Sequence, residues 1–320
     1  MRMRIVWAFG RMMGAVMAVV LAAFVLVSEG NAQTVTVDIG EGVTMGMVWI
    51  TPDTFTMGQN HDMPDWSPTP ERRVTLTRGF HMGVHEVTQE QFHAVMGANP
   101  SWFDGSEGRE PAEGEVQERR PVENVSWYHA IAFANRLSIL QGLEPVYSIA
   151  GMSNTDADAW LYVNVPVDWD DPMHAAWDAV TMNPNANGFR LPTEAEWEFA
   201  VRAGTTTEWS FGNDAANLGY YAWYGVYCCD GGMTRQVGQK RPNPWGLYDM
   251  HGNVWEWVWD RWGTPGTAPA TDPTGVVSGD GRVIRGGCWY FPPRHARSAF
   301  RAYDHPGNRG GDLGFRVVRN

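Results

Sequence analysis

The densest run of groups able to do chemistry in these 320 residues lies near the C-terminus, where Cys288, Trp289, Tyr290, Phe291, Arg294, His295, Arg297 and Arg301 crowd together. Guanidinium forks beside aromatic platforms suit an anionic or peptide ligand. Arg297 and Arg301 equally suit pairing with the chain's own carboxylates, such as Glu256, and Trp289 equally suits a core. Arg294 and His295 follow Pro292-Pro293, which stiffens the loop and lowers the ordering cost of binding. Cys228 and Cys229 are adjacent, and Cys288 stands alone. A bridge between neighbours is strained, so either could pair with Cys288 in an oxidising compartment. No C-x-x-C occurs, and no Cys/His spacing matches a zinc site. An iron centre needs two histidines and a carboxylate. His81, His85 and His93 lie near Glu86, and His295 and His305 near Asp304. Packing or solvated histidines are the commoner use of such residues, so iron stays possible but unsupported. Lys240 is the only lysine, which argues against Schiff-base chemistry.

The whole-chain charge is −12, which argues against a partner recognised through its phosphates and so against nucleic acid. Arg2, Arg4 and Arg11 precede an uncharged apolar run from Met12 to Val27, and Gly30-Asn31-Ala32 supplies the small residues a signal peptidase reads. Residues 1–32 are therefore expected to be a cleaved signal peptide, with an uncleaved anchor as the alternative. The remainder, 33–320, is expected to form one domain, secreted or periplasmic, with no later membrane span. Seventeen Trp, 36 Gly and 20 Pro imply irregular chain pinned by aromatic packing.

Few regular elements are needed to position these groups. Thr44 to Ile50, Thr54 to Gly58 and Arg73 to Thr77 read as three short strands of one small antiparallel sheet. Thr88-Gln89-Glu90-Gln91 has capping-box form and opens a helix through Phe92, Val95 and Met96 that ends at Gly97. Ser126 caps a second helix along Ile131, Phe133, Ala134, Leu137 and Leu140, with a stop at Gly142. Residues 142 to about 187 read as an acidic surface excursion. Thr193 with Glu196 opens a third helix, closed by Gly204. Gly314 to Val318 reads as a last strand.

Four segments carry a specific likeness. Gly188-Phe189-Arg190-Leu191-Pro192-Thr193-Glu194-Ala195-Glu196-Trp197-Glu198 is followed by Asn243-Pro244-Trp245-Gly246-Leu247-Tyr248-Asp249-Met250-His251-Gly252-Asn253-Val254-Trp255-Glu256-Trp257. Arg285-Gly286-Gly287 and Leu313-Gly314-Phe315-Arg316 complete the set. With the Gly58 turn and Val84-His85-Glu86-Val87-Thr88, their order resembles the formylglycine-generating enzyme, or sulfatase-modifying factor, family over roughly residues 42 to 320. The resemblance implies a single α+β domain, a C-type-lectin-like variant with little regular secondary structure.

Function is carried by the site and not by the fold. The copper-dependent oxidases that the chain resembles hold copper(I) with two cysteines shortly after the Arg-Gly-Gly motif, soft sulfur selecting that ion. Here that stretch holds Cys288 alone, at a position where the family has a serine, so copper-dependent formylglycine formation is disfavoured. The resemblance further implies one calcium ion held by the Asp249 side chain, the Gly252 and Val254 carbonyls and the Glu256 carboxylate, hard oxygens on a tight loop. A second calcium site upstream is not recognisable, since Tyr227-Cys228-Cys229-Asp230 departs from the pattern. The substrate groove of the family corresponds to Cys288, Trp289, Arg294, His295, Arg297 and Arg301. The expectation is a monomeric, calcium-stabilised binding protein for a peptide or small anionic ligand. A divergent oxidoreductase, of formylglycine-generating or pyoverdine-maturation type, is the alternative.

Overall fold

The computed structural model describes residues 34–59, 67, 69–166, 174–225 and 232–320; the expected signal segment and Cys228 and Cys229 lie outside the described residues. The chain opens with β1 (Thr34–Gly40), β2 (Val43–Ile50), β3 (Thr54–Met57), β4 (Arg72–Thr75) and β5 (Phe80–Gly83), then α1 (Gln89–Met96) and α2 (Trp127–Leu140). β6 (Tyr147–Ser148), α3 (His174–Asp178), β7 (Thr181–Met182), β8 (Phe189–Arg190) and α4 (Glu194–Arg202) follow. The chain closes with β9 (Trp255–Arg261), β10 (Ala270–Thr271), β11 (Arg282–Arg285), β12 (Arg301–Asp304), β13 (Leu313–Phe315) and β14 (Val318–Arg319).

All three expected helix starts form as the local chemistry dictates. Thr88, Ser126 and Thr193 each accept a bond from the N3 amide while the N3 side chain, Gln91, His129 or Glu196, reaches back to the cap amide. Two of the stops differ from the glycine signals. α2 closes on Gln141, and α4 on Ala203, which itself takes the left-handed conformation at φ 45°.

The N-terminal strands do not share one sheet. β2 pairs with β1 and β5 in the order β1-β2-β5-β14-β8, whereas β3 and β4 form a separate sheet with β10 in the order β10-β4-β3. The last strand is also split: β13 runs parallel to β9 in the sheet β12-β11-β9-β13, and β14 crosses to pair with β5 and β8. Between β13 and β14 the Arg316 side chain turns into the protein, so the two pieces serve different sheets. The acidic stretch after residue 142 is not a surface excursion. It inserts Tyr147, Trp160 and Trp177 into the main core beside α2, while Glu144, Asp156 and Asp158 stay exposed. Aromatic indoles also stitch the layers: Trp127 Nε1 donates to Val258 O at 2.9 Å and Trp257 Nε1 to Val125 O at 3.0 Å, tying the start of α2 to β9.

The motif residues form a skeleton of buried ion pairs. Arg190 grips Glu196 with two bonds of 2.6 and 2.8 Å, and Arg301 grips Glu194 at 2.7 and 2.8 Å. Arg285 and Arg202 share Glu198, at 2.7 and 2.8 Å. Arg316 grips Glu256 at 2.6 and 2.7 Å, both wholly buried, and Trp197 Nε1 donates to the same carboxylate at 2.7 Å. Breaking such a pair leaves an uncompensated charge in a low-dielectric interior, whereas removing both charges together does not. Glu256→Met is therefore expected to cost about 3–5 kcal/mol, and adding Arg316→Met should recover a large part of the loss. Urea unfolding of the two variants tests this; equal losses would show that the pair is not coupled.

Candidate functional site

The site is organised by the corner Gly252-Asn253 at the head of β9. Gly252 has φ 94°, and a Cβ there would lie 2.1 Å from the Trp223 carbonyl oxygen, so only glycine permits the contact. Asn253 then pins three strips of irregular chain. Its amide donates to Trp223 O at 2.8 Å, its carbonyl accepts from Trp289 N at 2.9 Å, and its Oδ1 accepts from Arg235 N at 2.9 Å. Trp223, Arg235 and Trp289 are thereby brought to one place from distant parts of the sequence.

These residues line a cavity of about 310 Å³, together with Gly219, Ala222, Tyr224, Met233 and Lys240. Lys240 Nζ lies 3.7 Å from the centre of the Trp223 ring while donating to Gly219 O at 2.7 Å. The Arg235 guanidinium lies 4.8 Å from the same ring and is paired with Glu115 at 3.3 Å. Trp289 is held edge-on by Phe103, with centroids 5.8 Å apart, and its indole donates to Gly311 O at 3.2 Å. An acidic protein thus converges two cations and two indoles on one concavity, a set suited to a carboxylate or phosphate carried on a flat or apolar body.

Of the six residues assigned to the groove by sequence, Trp289 alone lines this cavity. Arg301 is buried against Glu194, and Arg297 pairs with Glu208 at 3.0 Å, so both serve internal carboxylates. Arg294 sits exposed on the short turn Pro293–Ala296. His295 points inward, only 5% exposed, among Trp255, Phe291 and Phe300. Burial, aided by the Arg294 charge, lowers its pKa to about 4, so it is neutral at pH 7 and offers no positive charge to an anion. Cys288 is buried, its thiol 3.6 Å from Asp312 Oδ2. Burial and the Asp312 charge push its pKa well up, the reverse of what a reactive or metal-binding thiolate requires. Trp223, Arg235 and Lys240 were missed by sequence reasoning; the sole lysine, close to a tryptophan-rich stretch, was the available signal.

The implied calcium donors are only partly assembled. Asp249 is buried, with Oδ2 accepting from Gly238 N at 2.7 Å and Oδ1 without a partner. Glu256, by contrast, has both oxygens bonded to Arg316, one of them also to Trp197. Gly252 and Val254 are buried beside it. Among the described residues no three His, Cys, Asp or Glu side chains converge as a metal cluster.

The sheet order, the buried arginine–carboxylate skeleton and the sparse helices define a mixed α+β protein of the C-type-lectin-like class. The chain belongs to the sulfatase-modifying factor family, whose description, sulfatase-modifying factor enzyme 1-like domain, matches residues 36–320. It is 34% identical over 265 residues to a chaperone protein LppX of Paenibacillus barcinonensis, covering 78% of this chain and 83% of that one. It is 35% identical over 303 residues to a formylglycine-generating enzyme of Thermomonospora curvata, covering 86% and 94%. Among solved structures, Treponema denticola variable protein 1 superposes with a TM-score of 0.79 at 42% identity, over 89% of this chain and 98% of its own. PvdO of Pseudomonas aeruginosa, at 24% identity and TM-score 0.63 over 89% and 97%, shares the fold.

The inward His295 has a measurable consequence. Its proton is bound more readily in the unfolded chain, near the ordinary value of 6.5, than in the native one, so its contribution to stability is lost as pH falls from about 6.5 toward 4. Replacing His295 by Phe should remove about 1–2 kcal/mol of the acid destabilisation seen between pH 6.5 and 4.5. Urea unfolding at the two pH values checks this, and an unchanged slope would place the imidazole in contact with water.

Proposed function

We propose that this protein is an exported, calcium-stabilised binding protein of the sulfatase-modifying factor family, which takes a peptide or small anionic ligand in the Trp223–Trp289 cavity and does not form formylglycine with copper. The observation that carries this reading is the pairing of Arg235 and Lys240 over Trp223 in a concavity that also presents Trp289. Arg235 already serves Glu115, so Lys240, held over Trp223, is the cation that an arriving carboxylate would meet in a charge-assisted hydrogen bond while its apolar portion covers the indoles. Two names among the relatives support it: one is called a chaperone and the solved structure at 42% identity a variable protein. An export route accords with the basic, then apolar, N-terminal segment, and among the described residues no helix is long and apolar enough to cross a membrane.

The copper part rests on Cys288. It follows Gly287 directly, is buried, and hydrogen-bonds Asp312, and no second cysteine occurs between it and Arg301. A second reading, a divergent oxidoreductase, is favoured by the 35% identity to a formylglycine-generating enzyme.

Two measurements decide between these readings. An acidic pentapeptide with a free C-terminal carboxylate should quench tryptophan fluorescence on binding, and its C-terminal amide should bind more weakly. Lys240→Ala and Trp289→Ala should each lose at least about tenfold in affinity, some 1.4 kcal/mol, with little change in melting temperature. Binding that ignores both substitutions would remove the ligand from this cavity. In parallel, a peptide bearing a sulfatase-type cysteine motif, incubated with the protein and copper(I), should keep its thiol by mass spectrometry; copper-dependent loss of the thiol would establish the oxidoreductase reading.

A further inference from the structure

We propose that Glu123 is a positioning residue for the cavity: its carboxylate sets the Trp102–Phe103 turn, the turn sets the Trp289 ring, and the wall loosens when that carboxylate takes up a proton. This rests on the cavity reading above and names the group that orders one of its two indoles. Glu123 lies just before α2, wholly buried and outside the motif strings. Its two oxygens take separate main-chain donors: Trp102 N reaches Oε2 at 2.9 Å and Phe103 N reaches Oε1 at 2.8 Å. Glu123 N donates in turn to Ser101 Oγ at 3.3 Å, and Asn124 Nδ2 to Pro100 O at 2.8 Å. On its other side the turn is held at the Phe103 carbonyl, which accepts from Gln117 Nε2 at 2.7 Å and Gln89 Nε2 at 3.1 Å.

The turn reaches the cavity through Phe103. Its ring meets Trp289 edge-on with centroids 5.8 Å apart, and the Trp289 indole donates to Gly311 O at 3.2 Å. Gly311 lies against the same turn, since a Cβ there would stand 3.4 Å from Trp102 Cβ and 3.5 Å from the Phe103 ring. The preceding Gly310 O accepts from Asn124 N at 2.8 Å. Two supports of the Trp289 ring, Phe103 and the Gly311 carbonyl, therefore lead back to Glu123 and its neighbour. A charged carboxylate accepts both turn amides well, whereas in the acid form one oxygen becomes a hydroxyl and a poorer acceptor. The charged groups acting on Glu123 are Arg120, whose guanidinium lies over Phe103 at 5.2 Å, and Asp312, which is bonded to the Cys288 thiol at 3.6 Å and to the Tyr290 hydroxyl. Asp104 and Arg119, on the adjoining chain, are exposed. Burial, with the Asp312 charge, pushes the Glu123 carboxyl up to about 7 against the two amide bonds and Arg120, so the proton exchanges near neutrality.

The Trp289 indole N–H reports on this directly, by NMR of the nitrogen-15-labelled mature protein from about pH 5.5 to about pH 8.5, with the signal assigned by its loss in Trp289→Phe. The expected result is one step near pH 7 that is absent in Glu123→Gln, whose amide cannot change charge. The step should shrink at least about threefold in Phe103→Leu, which keeps the carboxylate and its amide bonds but removes the ring, and which carries the test if Glu123→Gln does not fold. Asp249, raised by burial to about 6, and Asp260, raised by burial to about 7, titrate in the same window and remain in both variants. A step that persists undiminished in either variant therefore belongs to another group and overturns the proposal. Affinity is the second readout. An N-acetylated acidic pentapeptide, ionised throughout this range, should bind the parent at least about threefold more weakly at pH 5.5 than at pH 8.5, and should bind Glu123→Gln weakly at both. Direct repulsion between Glu123 and the peptide would give the opposite sign, so tighter binding at pH 5.5 would also overturn the proposal. A step in the Trp289 signal with no peptide binding at either pH would overturn the cavity reading and leave Glu123 as the group that positions Trp289.

Discussion

The Arg316–Glu256 pair is the contact on which the rest of the architecture leans. Its two residues leave adjacent, parallel strands, and the guanidinium then reaches past Glu256 to the Gly83 and Tyr248 carbonyls. One side chain thus joins the end of β5, the loop before β9 and the junction of β13 with β14. Trp197 adds α4 to the same carboxylate. Because both charges are wholly buried, the arrangement is intolerant of partial loss, and that intolerance gives a chain with so little regular structure a single way to close.

The neighbouring pairs extend this principle. Glu194 and Glu198 leave one face of α4 and meet Arg301 and Arg285, which come from β12 and β11. The helix is thereby bolted to the β12-β11-β9-β13 sheet by charge as well as by the apolar contacts of Trp197 and Ala200. Arg285 also donates to the carbonyls of Ser298 and Ala299, so the turn following the Arg-Gly-Gly motif is supported from below. Arg297 and Arg301 are likewise spent on internal carboxylates, whereas Arg294 stays exposed. At the cavity, Arg235 is paired with Glu115 and Lys240 bonds the Gly219 carbonyl, and both lie over Trp223.

Buried ion pairs lie beneath, and the irregular loops that form the Trp223–Trp289 cavity lie above them. The corner Gly252-Asn253 connects the two layers, since it leads directly into the strand that carries Glu256 and also fixes Trp223, Arg235 and Trp289. One asparagine thus ties three strips of irregular chain to this corner, two through its main chain and one through its side-chain oxygen.

The sequence by itself determined the family and fold class, the three helix starts, and the identity of the residues that matter structurally. Capping boxes are local chemistry within four residues, and the motif segments are contiguous strings, so both survive without knowledge of the fold. What only the tertiary structure decided was partnership. Arg297 and Arg301 had two legible fates, ligand or internal carboxylate, and long-range proximity to Glu208 and Glu194 chose the second. Glu256 was legible as an oxygen donor on a tight loop, but that Arg316, sixty positions away, bonds both of its oxygens was not. The stretch after residue 142 read as surface from its acidity, yet a strip carrying both carboxylates and tryptophans can turn Trp160 and Trp177 inward and leave the charges in water. Lys240, Arg235 and Trp223 carry no spacing that marks them as a group, since hydrogen bonds to one asparagine bring Arg235 and Trp223 together, and Lys240 joins through the Gly219 carbonyl and the Trp223 ring.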